Sequence, residues 1–94
     1  MLTIGLLTLQ LQIEAAHSLK DKRHVVRGLK DRLRNRFNVS VAEVDGQDTW
    51  QRSVVAVVTV SGDRQRVEEQ LAKVEADAAR LLGGDLVSSE VEIL

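Results

Sequence analysis

Leu7, Leu9, Leu11 and Ile13 alternate with Thr8, Gln10 and Gln12, the period-two signature of a strand with one buried face. Ile4 and Leu6 stand in the opposite phase, so the strand either bulges near Leu6 or has its first half covered on both faces. "SLKD" follows, with Ser18 placed as an N-cap and Asp21 placed three residues on to reach back, which is a capping box. Val26, Leu29, Leu33 and Phe37, with Val25 alongside, then share one side of a 3.6-residue period and predict a helix to about Phe37. "NVSVAEV" and "QRSVVAVVTV" are β-branched runs flanking a turn, and the second is apolar at nearly every position, as a strand in the middle of a sheet would be. After Ser61-Gly62-Asp63, the residues Val67, Leu71, Val74, Ala78 and Leu81 recur at helical spacing until Gly83-Gly84 stops them. "VSSEVEIL" closes with alternation at Val87, Ser89, Val91 and Ile93.

The order is therefore βαββαβ. With right-handed crossovers it closes into an α+β fold: a four-stranded antiparallel sheet with two helices on one face, the ferredoxin-like arrangement.

The 94 residues, 44% of them apolar, predict a single domain over 1–94, near the lower size limit for a self-sufficient core. There is no cysteine, which removes disulfides and thiolate metal sites and suits a reducing cytosol. Oligomerisation is the reinforcement left to so small a core. The apolar N-terminal run is interrupted by Thr8, Gln10 and Gln12 and lacks a basic leader, so it reads as neither a signal peptide nor a membrane span.

The net charge of −1 conceals a sorting. Ser18 to Phe37 carries eight basic and two acidic residues, whereas the rest of the chain sums to −7. Projected at about 100° per residue, Lys20, Arg23, Arg27, Lys30 and Arg34 fall within an arc of about 80° beside the apolar face and span roughly 21 Å of helix axis. Such a ridge can meet several consecutive phosphates. The bland reading is a solvated face partly paired with Glu68 and Glu75 of the second helix, although two acids cannot neutralise five bases.

Other chemistry is sparse. His17 and His24 are the only imidazoles, one before the helix cap and one on its exposed side, a weak basis for acid–base or metal chemistry. No strand–glycine–helix loop is present to cradle phosphate. Glu43, Asp45 and Asp48 cluster near the turn and could bind Mg²⁺ or act in acid–base chemistry. A loop over 46–49 instead sets Glu43 opposite Arg52 as a structural cross-strand pair, whereas a two-residue turn at Asp45-Gly46 would set it against Asp48. Trp50 either packs this loop against a neighbouring element, the more common use, or anchors a partner. The aromatic base-stacking used by RNA-recognition domains of this topology has no residues on the central strands here. The third strand's second set of valines would face water unless a second copy covered it.

"SLKDKR" and "LKDRLRNRFNVSVAEVDGQDTWQR" closely resemble the YlxP-like family, a bacterial family of unknown function, and the resemblance runs from "GLLTLQL" to "VEIL". It implies a ferredoxin-like fold, no established catalytic activity, and genes that neighbour an initiation factor and a ribosome-maturation factor. Gly46 departs from the histidine usual in the family, and Asp21 from the usual glutamate.

These readings combine into a cytoplasmic, non-enzymatic protein without cofactor or resident metal, dimeric through its sheet, contacting RNA or a ribosomal particle. Lys20, Arg23, Arg27, Lys30 and Arg34 would meet phosphates, and Trp50, Arg52 and Asp48 at the hairpin tip would be partner contacts. The alternative is a homodimeric protein-interaction module using the open sheet face and the 45–52 tip, with no nucleic-acid binding.

Overall fold

A computed structural model describes residues 1–94. Strand β1 (Thr3–Gln12) is followed by helix α1 (Leu19–Arg36), strands β2 (Ser40–Asp45) and β3 (Arg52–Ser61), helix α2 (Arg64–Leu82), a 3₁₀ turn (Gly83–Asp85) and strand β4 (Leu86–Ile93). The antiparallel sheet has the order β2-β3-β1-β4. Both helices lie on one face, α1 over β2 and α2 over the other strands, which is the ferredoxin-like architecture.

Each helix begins where a side chain satisfies a free amide. Ser18 Oγ accepts from Asp21 N at 3.1 Å, and Asp63 Oδ1 accepts from Gln65 N at 2.9 Å. Asp21 reaches back one residue further than a capping box requires: its carboxylate accepts from His17 N rather than Ser18 N. The core gathers Leu7, Leu9 and Leu11 from β1, Val26, Leu29 and Leu33 from α1, Val55 and Val57 from β3, and Val67, Leu71 and Val74 from α2.

The odd phase of Ile4 and Leu6 has neither of the two expected causes. Pairing of β1 with β3 is continuous from Thr3↔Ser61 to Gln12↔Arg52, so Ile4 and Leu6 lie on the sheet face away from the helices, opposite Val60 and Val58. The helix-facing position between them is Gly5, because α2 passes too close for a side chain. A Cβ there would stand 2.4 Å from Val67 Cγ1 and 2.7 Å from Leu71 Cδ1. Gly5→Ala is therefore expected to lower unfolding free energy by about 1–2 kcal/mol through overpacking, read as a shifted urea midpoint. An unchanged midpoint would show that α2 is free to move outward.

Two other expectations shift by one residue. On α2, Leu82 enters the core and Leu81 is exposed, because the apolar face drifts around the helix over its final turn. On β4, a bulge opposite Gln10/Leu11 puts Leu86 on the core side and leaves Val87 exposed, whereas Ser89, Val91 and Ile93 keep their expected phase.

Candidate nucleic-acid interface

The basic ridge forms the flank of α1 that overhangs the edge strand β2. Lys20, Arg23, Arg27 and Arg34 are exposed and Lys30 is half-buried. Arg34 is partly committed to the fold: its Nη2 donates to Val41 O of β2 at 2.6 Å, covering one carbonyl of an open sheet edge.

Charge pairing separates this ridge from the other cations. Of thirteen basic residues, Lys22, Arg32, Arg36, Arg52, Arg64, Arg66 and Arg80 stand within ion-pair distance of a carboxylate. The six that do not are Lys73 and all five ridge residues. The acids expected to quench the ridge are used elsewhere: Glu68 pairs with Arg64, and Glu75 accepts from Ser89 Oγ. The α1–α2 seam has its own acid, Asp77, buried and held by Arg32 at 3.0 and 3.2 Å with Arg36 and Arg80 further out. The hydrogen bond from Arg32 holds the Asp77 carboxyl below the usual aspartate range, against the opposing effect of burial and with help from the charges of Arg32 and Arg36.

The hairpin is braced differently from the cross-strand pair that its sequence suggests. The loop runs from Gly46 to Gln51, and Val44 bulges, so that Glu43 pairs in register with Val55 and Asp45 with Val54. Glu43 and Asp45, two apart in the chain, thereby fall on opposite faces of the sheet. Asp45 binds Arg52 at 3.1 Å, and this hydrogen bond lowers its pKa, with the Gly46 amide assisting. Glu43 turns under α1 to Lys22, whose ammonium is wholly buried. Lys22 Nζ donates to Glu43 Oε2 at 2.8 Å, Gly46 O at 2.6 Å and Gln47 O at 3.3 Å, which uses all three of its protons. Ser53 Oγ donates to the same carboxylate oxygen at 2.5 Å. Burial works to raise the Glu43 pKa, but the bonds from Lys22 and Ser53 and the charges of Lys22 and Lys30 outweigh it, and the net shift is downward.

Sequence reading missed Lys22 because it counted as one more cation in a basic segment; its spacing from Val26, Leu29 and Leu33, on the buried side of α1, was the available signal. Gly46 has φ 79°, and a Cβ there would lie 2.6 Å from Arg52 O, so this loop shape admits no histidine at that position. No three histidine, aspartate or glutamate side chains gather to hold a metal ion. The loop is fastened by Gln51, whose carbonyl accepts from Ile13 N at 2.7 Å and whose amide donates to Glu14 O and Ala16 O. Trp50 is left 55% exposed, beside Gln12, Asp48, Thr49 and Arg52 in a shallow depression.

A family model described as "Protein of unknown function (DUF503)" matches residues 4–91. The chain belongs to that family. It is 41% identical over 73 residues to the uncharacterized protein YlxP of Bacillus subtilis (strain 168), covering 78% of this chain and 79% of that one. Among solved structures, a dimeric ferredoxin-like protein of unknown function from Thermobifida fusca superposes over 99% of this chain and 90% of its own, with a TM-score of 0.58 at 12% identity. The de novo designed protein Foldit4 does so over 100% and 94%, with a TM-score of 0.57 at 16% identity. The likeness to the Thermobifida fusca protein, with the strand order and helix placement above, establishes the ferredoxin-like fold of this family member. No helix is long and apolar enough to cross a membrane.

Proposed function

We propose that this protein is a cytoplasmic, non-enzymatic RNA-contacting factor that meets RNA or a ribosomal particle through Lys20, Arg23, Arg27, Lys30 and Arg34. The observation that carries this reading is the sorting of ion pairs: nearly every other cation has a carboxylate within ion-pair distance, and no ridge cation does. An unpaired row of cations is electrostatically costly to assemble and favours a polyanion that neutralises it.

The test is co-sedimentation with ribosomal particles at increasing salt. Four or five phosphate contacts predict an affinity loss of about fiftyfold to a hundredfold between about 50 and 200 mM salt. Lys20→Glu, Arg23→Glu and Arg27→Glu together remove side chains that bond nothing in the fold, so the triple variant should stay folded by circular dichroism and lose binding. Equal binding by both proteins, or none by either, would remove the reading.

A second reading, a homodimer, is supported by the sheet face turned away from the helices. Ile4↔Val60 and Leu6↔Val58 are direct cross-strand pairs there, with Val58 38% and Val60 57% exposed. The dimeric Thermobifida fusca neighbour has the same fold. Sedimentation velocity should give twice the 10.4 kDa chain mass, and Val58→Glu should restore the monomer. A wild-type monomer at micromolar concentration would refute it. The sheet and the ridge lie on opposite layers, so the two contacts are compatible.

A further inference from the structure

The middle of the basic ridge is concave. Arg23, Val26, Arg27 and Lys30 of α1 and Glu43 of β2 enclose a hollow of about 240 Å³, below the roughly 300–1,000 Å³ of sites that enclose drug-sized ligands. Three cations and one carboxylate line it. An inorganic anion would gain the cations and meet the carboxylate unfavourably, and a divalent cation would meet the reverse. The lining suits a ligand that presents an anion and a hydrogen-bond donor side by side.

Glu43 is built to accept such a donor. Both Lys22 and Ser53 bond its Oε2, which fixes the carboxylate and leaves Oε1 without a protein donor. The neighbouring cations keep it ionised at neutral pH. In RNA every phosphate lies beside a 2′-hydroxyl that donates, and DNA lacks that group.

We infer that this hollow is a ribose-phosphate seat, in which Arg23, Arg27 and Lys30 hold a phosphate and Glu43 Oε1 accepts from a 2′-hydroxyl, so that the surface selects RNA over DNA. This rests on the reading of the ridge as a phosphate-binding surface, and the experiment separates the two.

Single-stranded RNA, the same sequence as DNA, and the same sequence as 2′-fluoro RNA are titrated against the unaltered protein at fixed salt. The fluorine keeps an RNA-like sugar pucker but cannot donate. RNA should bind about tenfold to a hundredfold more tightly than either of the others, the worth of one hydrogen bond to a charged acceptor. Equal binding of all three would overturn the seat and leave the ridge standing. RNA and 2′-fluoro RNA binding alike, with DNA weaker, would mean that sugar shape is read and Glu43 is not used. No binding of any strand would overturn both. The double variant Lys22→Met, Glu43→Met removes the buried pair together and leaves the ridge charge intact. Once shown folded, it should keep DNA binding and lose the RNA preference; a preference that persisted would also refute the assignment.

Discussion

Lys22→Met is expected to lower unfolding free energy by about 3–5 kcal/mol, the cost of breaking a buried ion pair from one side. The ammonium is the only group that bonds Glu43, Gly46 O and Gln47 O at once. Methionine fills the space but leaves a carboxylate under α1 with one hydroxyl for a partner, and strips a bond from two loop carbonyls. The double variant with Glu43→Met should recover much of the loss, because a hydrophobic pair of similar volume often replaces a buried ion pair at little net cost. Urea unfolding by circular dichroism measures both, and Trp50 fluorescence reports the loop. A single-variant loss under about 1 kcal/mol would mean that Gln51 and the Asp45–Arg52 pair hold the hairpin without Lys22. If the single variant does not fold and the double variant does, the assignment stands; a double-variant loss equal to the sum of the Lys22→Met and Glu43→Met losses would show that the two side chains act independently.

The same lysine marks the limit of what the sequence discloses. Periodicity located every strand and both long helices, because a buried stripe repeats over many residues and survives a local exception. The exceptions lie where one residue breaks phase. The bulge at Val44 redirects Asp45 to Arg52 and frees Glu43 to turn under α1, and no composition rule marks a valine as the extra residue in "VAEVD". Asp77 sits on the buried side of α2 among Val74 and Ala78, yet an acid within an apolar stripe is ordinarily read as a face boundary. The odd phase of Ile4 and Leu6 arises because the helix-facing residue between them is Gly5, and the approach of α2 explains that glycine. The ridge, in contrast, was legible residue by residue, since exposed helical side chains keep the positions their spacing assigns. What spacing could not supply was the pairing, and hence which cations remain free.

That pairing divides α1 by side. Lys22, buried beneath the helix, locks the hairpin; Arg32 and Arg36, on the seam side, lock α2 through Asp77; Lys20, Arg23 and Arg27, on the β2 side, bond nothing in the fold. A change confined to the third set should spare stability, and a change in the first two should damage the fold before it alters binding. The side chains that hold the fold and the proposed binding residues thus lie on different sides of one helix, which lets the triple ridge variant be read as a binding variant.

Asp77→Asn is the sharper test of the seam, and its signature is pH dependence. The substitution keeps the volume but removes the charge and presents an amide N–H₂ toward the guanidinium of Arg32, donor against donor. A loss of about 1.5–2 kcal/mol is expected near pH 7, in the lower part of the range for a broken hydrogen bond to a charged group, because Arg32, Arg36 and Arg80 remain accessible to water when the acid is gone. Asp77 ionises below the usual aspartate value of 3.8 in the fold, so the unfolded chain takes up its proton first as pH falls. The contribution of the carboxylate is therefore fully present above about pH 4 and is lost as pH drops through the depressed native value. Glu43, whose ordinary value of 4.5 is likewise lowered, adds an acid loss of the same sign in both proteins. Urea midpoints of wild type and variant should differ most near neutrality and converge toward pH ~2, where a protonated aspartic acid and an asparagine have similar bonding capacity. A gap that stays constant across this range would mean that residue 77 acts through packing alone, and that the three arginines contribute nothing through its charge.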